Sequence, residues 1–153
     1  MVLTLMVALL FAAPADADVR GNDTLQAINA ARAERGVAPV RADARLAAAA
    51  QGHSREMVAR AYFAHVSPSG ADLRSRVART GWLHSRPAWA LGEDIAWGTG
   101  VLASPGEVVA AWLRSPPHRR IMLGRSFHRV GIGIADGTPS AGPGATYTAD
   151  FGS

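Results

Sequence analysis

The sequence predicts an α+β fold, in which helices flank a small antiparallel sheet. Helical periodicity dominates the first two-thirds of the chain, and strict alternation appears only near the end, at Val130, Ile132 and Ile134. Strands and helices do not alternate regularly, which argues against a parallel sheet. With 153 residues and 48% hydrophobic content, the chain is long enough for one domain with its own core.

The N-terminal segment predicts export. Val2 to Ala13 is an apolar run, shorter than the roughly 20 residues that span a bilayer. Ala15-Asp16-Ala17 resembles the end of a cleaved signal. We therefore interpret residues 1–17 as a signal peptide and residues 18–24 as a short tail. We expect a secreted protein that meets the membrane only during export; the alternative is a buried N-terminal helix.

Capping residues predict where the helices begin. Three of them precede apolar stripes with helical spacing, and the expected helices run from Thr24 to about Arg35, from Asp43 to about Ala61, and from Asp72 to about Thr80. The stretch from Leu83 to Gly100 is interpreted as a loop with a possible short strand.

The C-terminal half predicts further helices and a hairpin. Ser104 to Glu107 has the pattern of a capping box and opens a helix that ends at the Pro116-Pro117 pair. His118 is expected to open one more short turn. Val130–Ile134 is predicted to be a central strand paired with Tyr147–Phe151, and Trp112 and Ile132 are predicted to lie in the core.

Composition excludes several classes of function. The chain has no cysteine, so a metal site would have to use His, Asp or Glu. The formal net charge is +4 and every cation is arginine, yet no arginine-rich run or stacking pattern is present. Nucleic acid is therefore not an expected partner. The arginines are interpreted as solvated helix faces.

Three polar residues have no obvious packing or capping role. His65 follows an aromatic pair at a turn, Glu93 lies in a loop after Gly92, and His118 follows two prolines. Two imidazoles and a carboxylate are typical of a zinc site, or of acid–base chemistry around one water. Spacing alone does not establish that they converge. By contrast, His53 lies on an apolar helical stripe and is interpreted as a core residue.

An ordered set of motifs carries a family resemblance. They are Asn29-x-x-Arg32, the segment from Ala47 to Met57, Tyr62 to His65, Gly92 to Ala96, Trp112-x-x-Ser115-Pro116-Pro117-His118, Val130 to Gly133, and Tyr147 to Gly152. Together they resemble the CAP superfamily, the SCP/PR-1-like domains, in its bacterial secreted branch. The resemblance covers residues 25–152.

The resemblance implies an α-β-α sandwich and one broad cavity. In the family, that cavity is lined by two histidines and two glutamates, and some members bind a divalent cation there. His65, Glu93 and His118 match three of these positions, whereas Ser115 stands where the second glutamate would be. His65 and His118 are thus the implied metal ligands, Ser115 lines the cleft, and zinc is expected to bind weakly.

The function expected from the resemblance is extracellular binding of a small ligand: a metal ion, a lipid or a cell-wall fragment. The alternative is a hydrolase of peptide, ester or cell-wall substrates. Its catalytic residues would be His65, Glu93 and His118, with Glu93 as the base on a water and Ser115 or Ser67 orienting the substrate. A third possibility is an interaction module that uses exposed arginines.

Overall fold

The structure, a computed structural model, describes residues 14–84 and 86–153. Its helices are α1 (Pro14–Ala33), α2 (Ala44–Ala59), α3 (Leu73–Arg79), α4 (Pro105–Arg114) and α5 (Pro116–Met122), with a short 3-10 helix at Gly100–Ala103. Its strands are β1 (Arg41–Ala42), β2 (Leu91–Gly98), β3 (Arg129–Asp136) and β4 (Ala145–Gly152). The α+β class is confirmed.

The sheet is built around the predicted C-terminal hairpin. Its strand order is β1-β3-β4-β2, and β4 is antiparallel to both of its neighbours. Val130 lies opposite Phe151 and Ile134 opposite Tyr147, which confirms the expected pairing. The sheet is nevertheless mixed, because the two-residue β1 runs parallel to β3. β2 is a full eight-residue strand where mainly loop was expected.

Helices cover both faces of this sheet. One buried cluster joins α1, α4 and α5 to β3 and β4; its largest members are Trp112, Tyr147, Phe151, Ile28 and Met122. On the other face, α2 lies directly against the backbone of β3. A Cβ on Gly131 would come within 2.0 Å of the Ala47 nitrogen, and one on Gly133 within 2.2 Å of the Ala50 carbonyl carbon. These glycines therefore permit the close approach of helix and sheet.

The start of the first helix was predicted wrongly. α1 begins at Pro14 and includes residues 18–24, so the expected tail is helical. Thr24 is buried within this helix, and its hydroxyl donates to the Arg20 carbonyl at 2.7 Å. Threonine can cap a helix, but its hydroxyl can also donate to a carbonyl one turn earlier inside a helix, and Thr24 does the latter. Residues 1–13 of the predicted signal peptide lie outside the described residues, so export stays a prediction.

Other helix boundaries show which caps the sequence identified correctly. Asp43 accepts hydrogen bonds from Arg45 N and Leu46 N, and Asp72 accepts one from Ser75 N, as predicted. Ser104 precedes α4 as predicted but makes no side-chain capping hydrogen bond. The predicted capping box is therefore wrong. The two prolines begin α5 rather than only ending α4, because proline fits the first turn of a helix. None of the described helices is both long and apolar enough to cross a membrane.

Asn29 and Arg32 on α1 bind backbone groups of the loops that connect the helices to the sheet. The side-chain amide of Asn29 bonds both the N–H and the C=O of Val40. Arg32 is fully buried, and its guanidinium donates to the carbonyl oxygens of Ala38, Met122 and Phe127. Burial lowers the pKa of Arg32. The expectation of solvated arginines is therefore wrong for Arg32.

We expect Trp112→Phe to lower the free energy of unfolding by about 1 to 2 kcal/mol. The Trp112 indole is buried and its Nε1–H donates to the Ile95 carbonyl at 3.1 Å. Phenylalanine keeps most of the apolar volume but leaves that buried carbonyl without its donor. Urea unfolding measures the loss. An unchanged transition would show that the hydrogen bond contributes nothing.

Ile132, which was predicted to lie in the core, is only half-buried and belongs to the periphery of the core.

Candidate functional site

A histidine and a glutamate that are 28 residues apart in sequence meet at the edge strand β2. The Nδ1 atom of His65 lies 2.7 Å from Oε1 of Glu93. His65 belongs to the loop after α2, and its side chain is 54% exposed, whereas the Glu93 side chain is only 3% exposed. The pair therefore has a buried carboxylate on one side and a solvent-facing imidazole on the other.

Arg76 completes this arrangement from α3. Its guanidinium donates to Oε2 of Glu93, to the His65 carbonyl at 2.9 Å and to the Ala71 carbonyl at 3.0 Å. The Arg76 side chain is as deeply buried as that of Glu93. Both carboxylate oxygens of Glu93 are thus engaged. Arg76 fixes the carboxylate and also the backbone of the loop that carries His65.

The charge state of Glu93 determines the tautomer of His65. Burial alone would raise the pKa of Glu93, but the hydrogen bond from His65 and the charge of Arg76 outweigh it and lower that pKa. An ionised carboxylate only accepts hydrogen bonds, so Nδ1 of His65 must be the donor. Nε2 of neutral His65 is then left with its lone pair free.

Two further buried groups stand behind Glu93. Asp150 lies directly opposite Glu93 in the β2–β4 pairing, so the two carboxyl groups share one face of the sheet. Burial and the negative charge of Glu93 raise the pKa of Asp150 well above its usual range. His53 Nε2 lies 4.0 Å from Oε2 of Glu93 and 3.0 Å from the Ala64 carbonyl. Burial lowers the pKa of His53, as suits the core role assigned to it.

His118 lies in the first turn of α5. Burial lowers the pKa of His118, and the charge of His65 lowers it further. That His118 shares a cleft with His65 stays a prediction. His118 is half-buried. Ser115 is half-buried at the junction of α4 and α5, and its place in the cleft stays a prediction.

Ser67 has a structural role instead of the substrate-orienting one considered for the hydrolase. It is 3% exposed, and its hydroxyl donates to Oε2 of Glu56 at 2.9 Å. Glu56 also accepts from Arg60 at 2.9 Å. The hydroxyl therefore fixes the loop after α2.

Asp94 is a buried acid on the opposite face of the sheet from Glu93, since successive strand residues point to opposite sides. It is fully buried, and neither carboxylate oxygen has a hydrogen-bond partner among the described residues. Burial, together with the charge of Glu93, raises the pKa of Asp94 to about 8. Asp94 is therefore protonated at neutral pH.

The donor set does not fit a firmly held metal ion. In the part of the chain that the structure describes, no three His, Asp or Glu side chains are placed to bind one ion together. Glu93 is committed to His65 and Arg76, and the Arg76 charge opposes a nearby cation. Weak zinc binding by His65 and His118 stays a prediction.

Comparison with known proteins identifies the family. The profile of the Cysteine-rich secretory protein family, CAP, matches residues 25–151. The chain belongs to the CAP family. It does so without cysteine, so packing and buried polar contacts hold the domain together in place of disulfides.

Two proteins of Bacillus subtilis resemble the chain in sequence. It is 29% identical to the uncharacterized protein YkwD of Bacillus subtilis over 124 residues, which is 81% of this chain and 46% of that protein. It is 32% identical to the uncharacterized membrane protein YlbC of the same organism over 110 residues, 72% of this chain and 30% of YlbC. The chain thus spans less than half the length of these relatives.

Solved structures show the same fold. An extracellular protein of Bacillus anthracis that contains an SCP domain superposes with a TM-score of 0.68 at 27% identity, covering 91% of this chain and 43% of that one. An outer surface protein of Borrelia burgdorferi gives 0.69 at 18% identity, covering 86% of this chain and 92% of that one. The second likeness concerns the fold alone.

Sequence reasoning missed Arg76 and Asp150 as parts of the site. Arg76 lies in the last turn of a short helix, where an arginine is usually solvated. Its neighbour Val77 is apolar and faces inward. That neighbour was the one sequence feature that could have indicated a buried Arg76. Asp150 is the one acidic residue in a strand whose eight residues are all buried. A buried acid at such a position indicates that another polar side chain lies beside it, but the sequence alone does not show which one.

Proposed function

We propose that this CAP domain is an extracellular binding domain whose cleft takes a small polar ligand, such as a cell-wall fragment with a carboxylate. The observation that carries the proposal is the His65–Glu93 pair. Glu93 holds the imidazole at Nδ1, and Arg76 in turn holds Glu93, so Nε2 is left free on an exposed ring with a fixed orientation. Such a ring binds a ligand without first losing its own rotational freedom.

The surroundings of His65 suit a ligand with both polar and apolar parts. Phe63 and Val66, on either side of His65 in sequence, are 44% and 51% exposed. His118 adds a second imidazole, whose lowered pKa keeps it neutral at pH 7, where it donates or accepts according to its tautomer. The extracellular description of the structural relative from Bacillus anthracis supports a ligand from the cell exterior.

We expect His65→Ala to weaken binding of a soluble muropeptide about tenfold or more, which corresponds to about 1.4 kcal/mol. His118→Ala is expected to weaken it less. The matched control is His128→Ala, because His128 is exposed just before β3. Isothermal titration calorimetry measures all four proteins. Equal affinities for wild type and His65→Ala would contradict the proposal.

A second candidate function is hydrolysis, and the same pair favours it. The hydrolase considered from the sequence used Glu93 as the base, but both Glu93 oxygens are engaged. In the structure His65 Nε2 is the better base: it would take a proton from water while Glu93 stabilises the imidazolium. Assays with peptide, ester and peptidoglycan substrates, compared between wild type and His65→Ala, test this candidate.

A further inference from the structure

A separate cavity lies on the far edge of the sheet from His65. It has a volume of about 440 Å³ and opens between α1, the start of α2 and β3. Leu25, Ala47 and Ile132 are among its apolar lining residues, and Asp18 and Asn22 lie on the α1 side. Its size falls in the range of small-molecule sites. We call it the Ile132 notch.

One end of the β3 edge is covered by β1. β1 pairs with Arg129 and Val130 alone, and Asp43 N donates to the Val130 carbonyl at 2.9 Å. The chain then turns into α2 at Ala44. No strand continues along β3 beyond this point within the described residues.

The other end of the same edge is covered by a side chain. The Gln51 amide donates to the Ile134 carbonyl at 2.8 Å and accepts from Ile134 N at 3.0 Å. Gln51 thus imitates one residue of a paired strand. The cover is local, since a single amide group satisfies one donor and one acceptor.

Ile132 lies between these two covers. The N–H and C=O groups of alternate strand residues point to the same edge, and those of Val130 and Ile134 point toward β1 and Gln51. The N–H and C=O of Ile132 therefore point into the notch. Among the described residues, neither a strand pair nor a side-chain hydrogen bond covers Ile132 at this edge.

We propose that the Ile132 notch binds a short extended peptide, which pairs with the backbone of Ile132 as one added strand residue. A peptide unit supplies the donor and the acceptor that Ile132 lacks, and its side chain contacts Leu25 and Ala47. A purely aliphatic ligand would instead leave two buried backbone groups without partners, which is unfavourable. The carboxylate of Asp18 and the amide of Asn22 favour a peptide that presents an amino group toward α1.

The test titrates glycyl-leucine N-methylamide, which carries a free amino group, into the full chain and follows backbone amides by NMR. We expect saturable shifts centred on Ile132 and slower hydrogen exchange of its amide, with an affinity of about millimolar for so small a probe. The aliphatic alcohol 4-methylpentanol is the control probe. Equal binding of the alcohol would overturn the proposal, and so would an Ile132 amide that is already protected from exchange without any probe.

Matched variants locate the binding. Ala47→Leu fills the notch and is expected to remove the shifts, whereas Ala48→Leu makes the same change at an exposed neighbour and is expected to keep them. Asn22→Trp, at an exposed rim position, blocks the entrance if Ala47→Leu does not fold. Undiminished binding in the folded blocking variant would overturn the proposal.

Discussion

Replacing Arg76 with leucine is expected to lower the free energy of unfolding by about 3 to 5 kcal/mol. The Arg76 and Glu93 side chains are each 3% exposed, so the change leaves a buried carboxylate without its main counter-charge. The carbonyls of His65 and Ala71 also lose their donor. Urea unfolding at pH 7 measures the effect.

Two further variants show whether the charge is responsible. Arg79→Leu makes the same substitution at an exposed site on α3 and is expected to change stability by less than about 0.5 kcal/mol. Adding Glu93→Gln to Arg76→Leu removes the stranded charge and is expected to recover part of the loss. If Arg76→Leu is no less stable than Arg79→Leu, the buried pair does not stabilise the domain.

The second large effect is pH-dependent: Asp94→Asn is expected to stabilise the domain at alkaline pH. The pKa of Asp94 is raised to about 8 in the folded protein, against about 3.9 in an unfolded chain. Between these values the folded state holds one more proton than the unfolded state, so stability falls as pH rises. The loss approaches 1.4 kcal/mol per pH unit at most. Asparagine has the same shape and never ionises.

The difference between Asp94→Asn and wild type is the quantity to measure, because titration of other groups largely cancels in it. We expect it to be small near pH 4 and to grow to several kcal/mol by pH 8. Asp23→Asn, at an exposed position, is the control and is expected to show no such growth. A difference that stays constant from pH 4 to pH 9 would contradict the assignment of a protonated Asp94.

The sequence was sufficient for the elements whose signals are local. Asp43 and Asp72 cap helices because a carboxylate satisfies the free N–H groups that follow it. The pairing of β3 with β4 followed from alternation of period two. Thr24 failed as a cap because its hydroxyl has another use, toward the Arg20 carbonyl within a longer helix.

The site was only partly predictable, since its residues come from separate elements. His65, Glu93 and His118 stood out because none served packing or capping. Arg76 did not stand out, and yet it fixes both Glu93 and the His65 loop. Similarly, β2 looked irregular in sequence because its acidic residues Glu93 and Asp94 are buried between apolar residues. Tertiary partners, rather than strand propensity, stabilise them there.

Ionised Glu93 holds His65 as the Nδ1–H tautomer and leaves Nε2 free. Nitrogen-15 NMR of the His65 imidazole measures the tautomer directly, at a pH where the ring is neutral. We expect a protonated Nδ1 and an unprotonated Nε2 in wild type, and a shift toward the Nε2–H form in Glu93→Ala. A wild-type ring protonated at Nε2, or a tautomer unaffected by Glu93→Ala, would contradict this assignment.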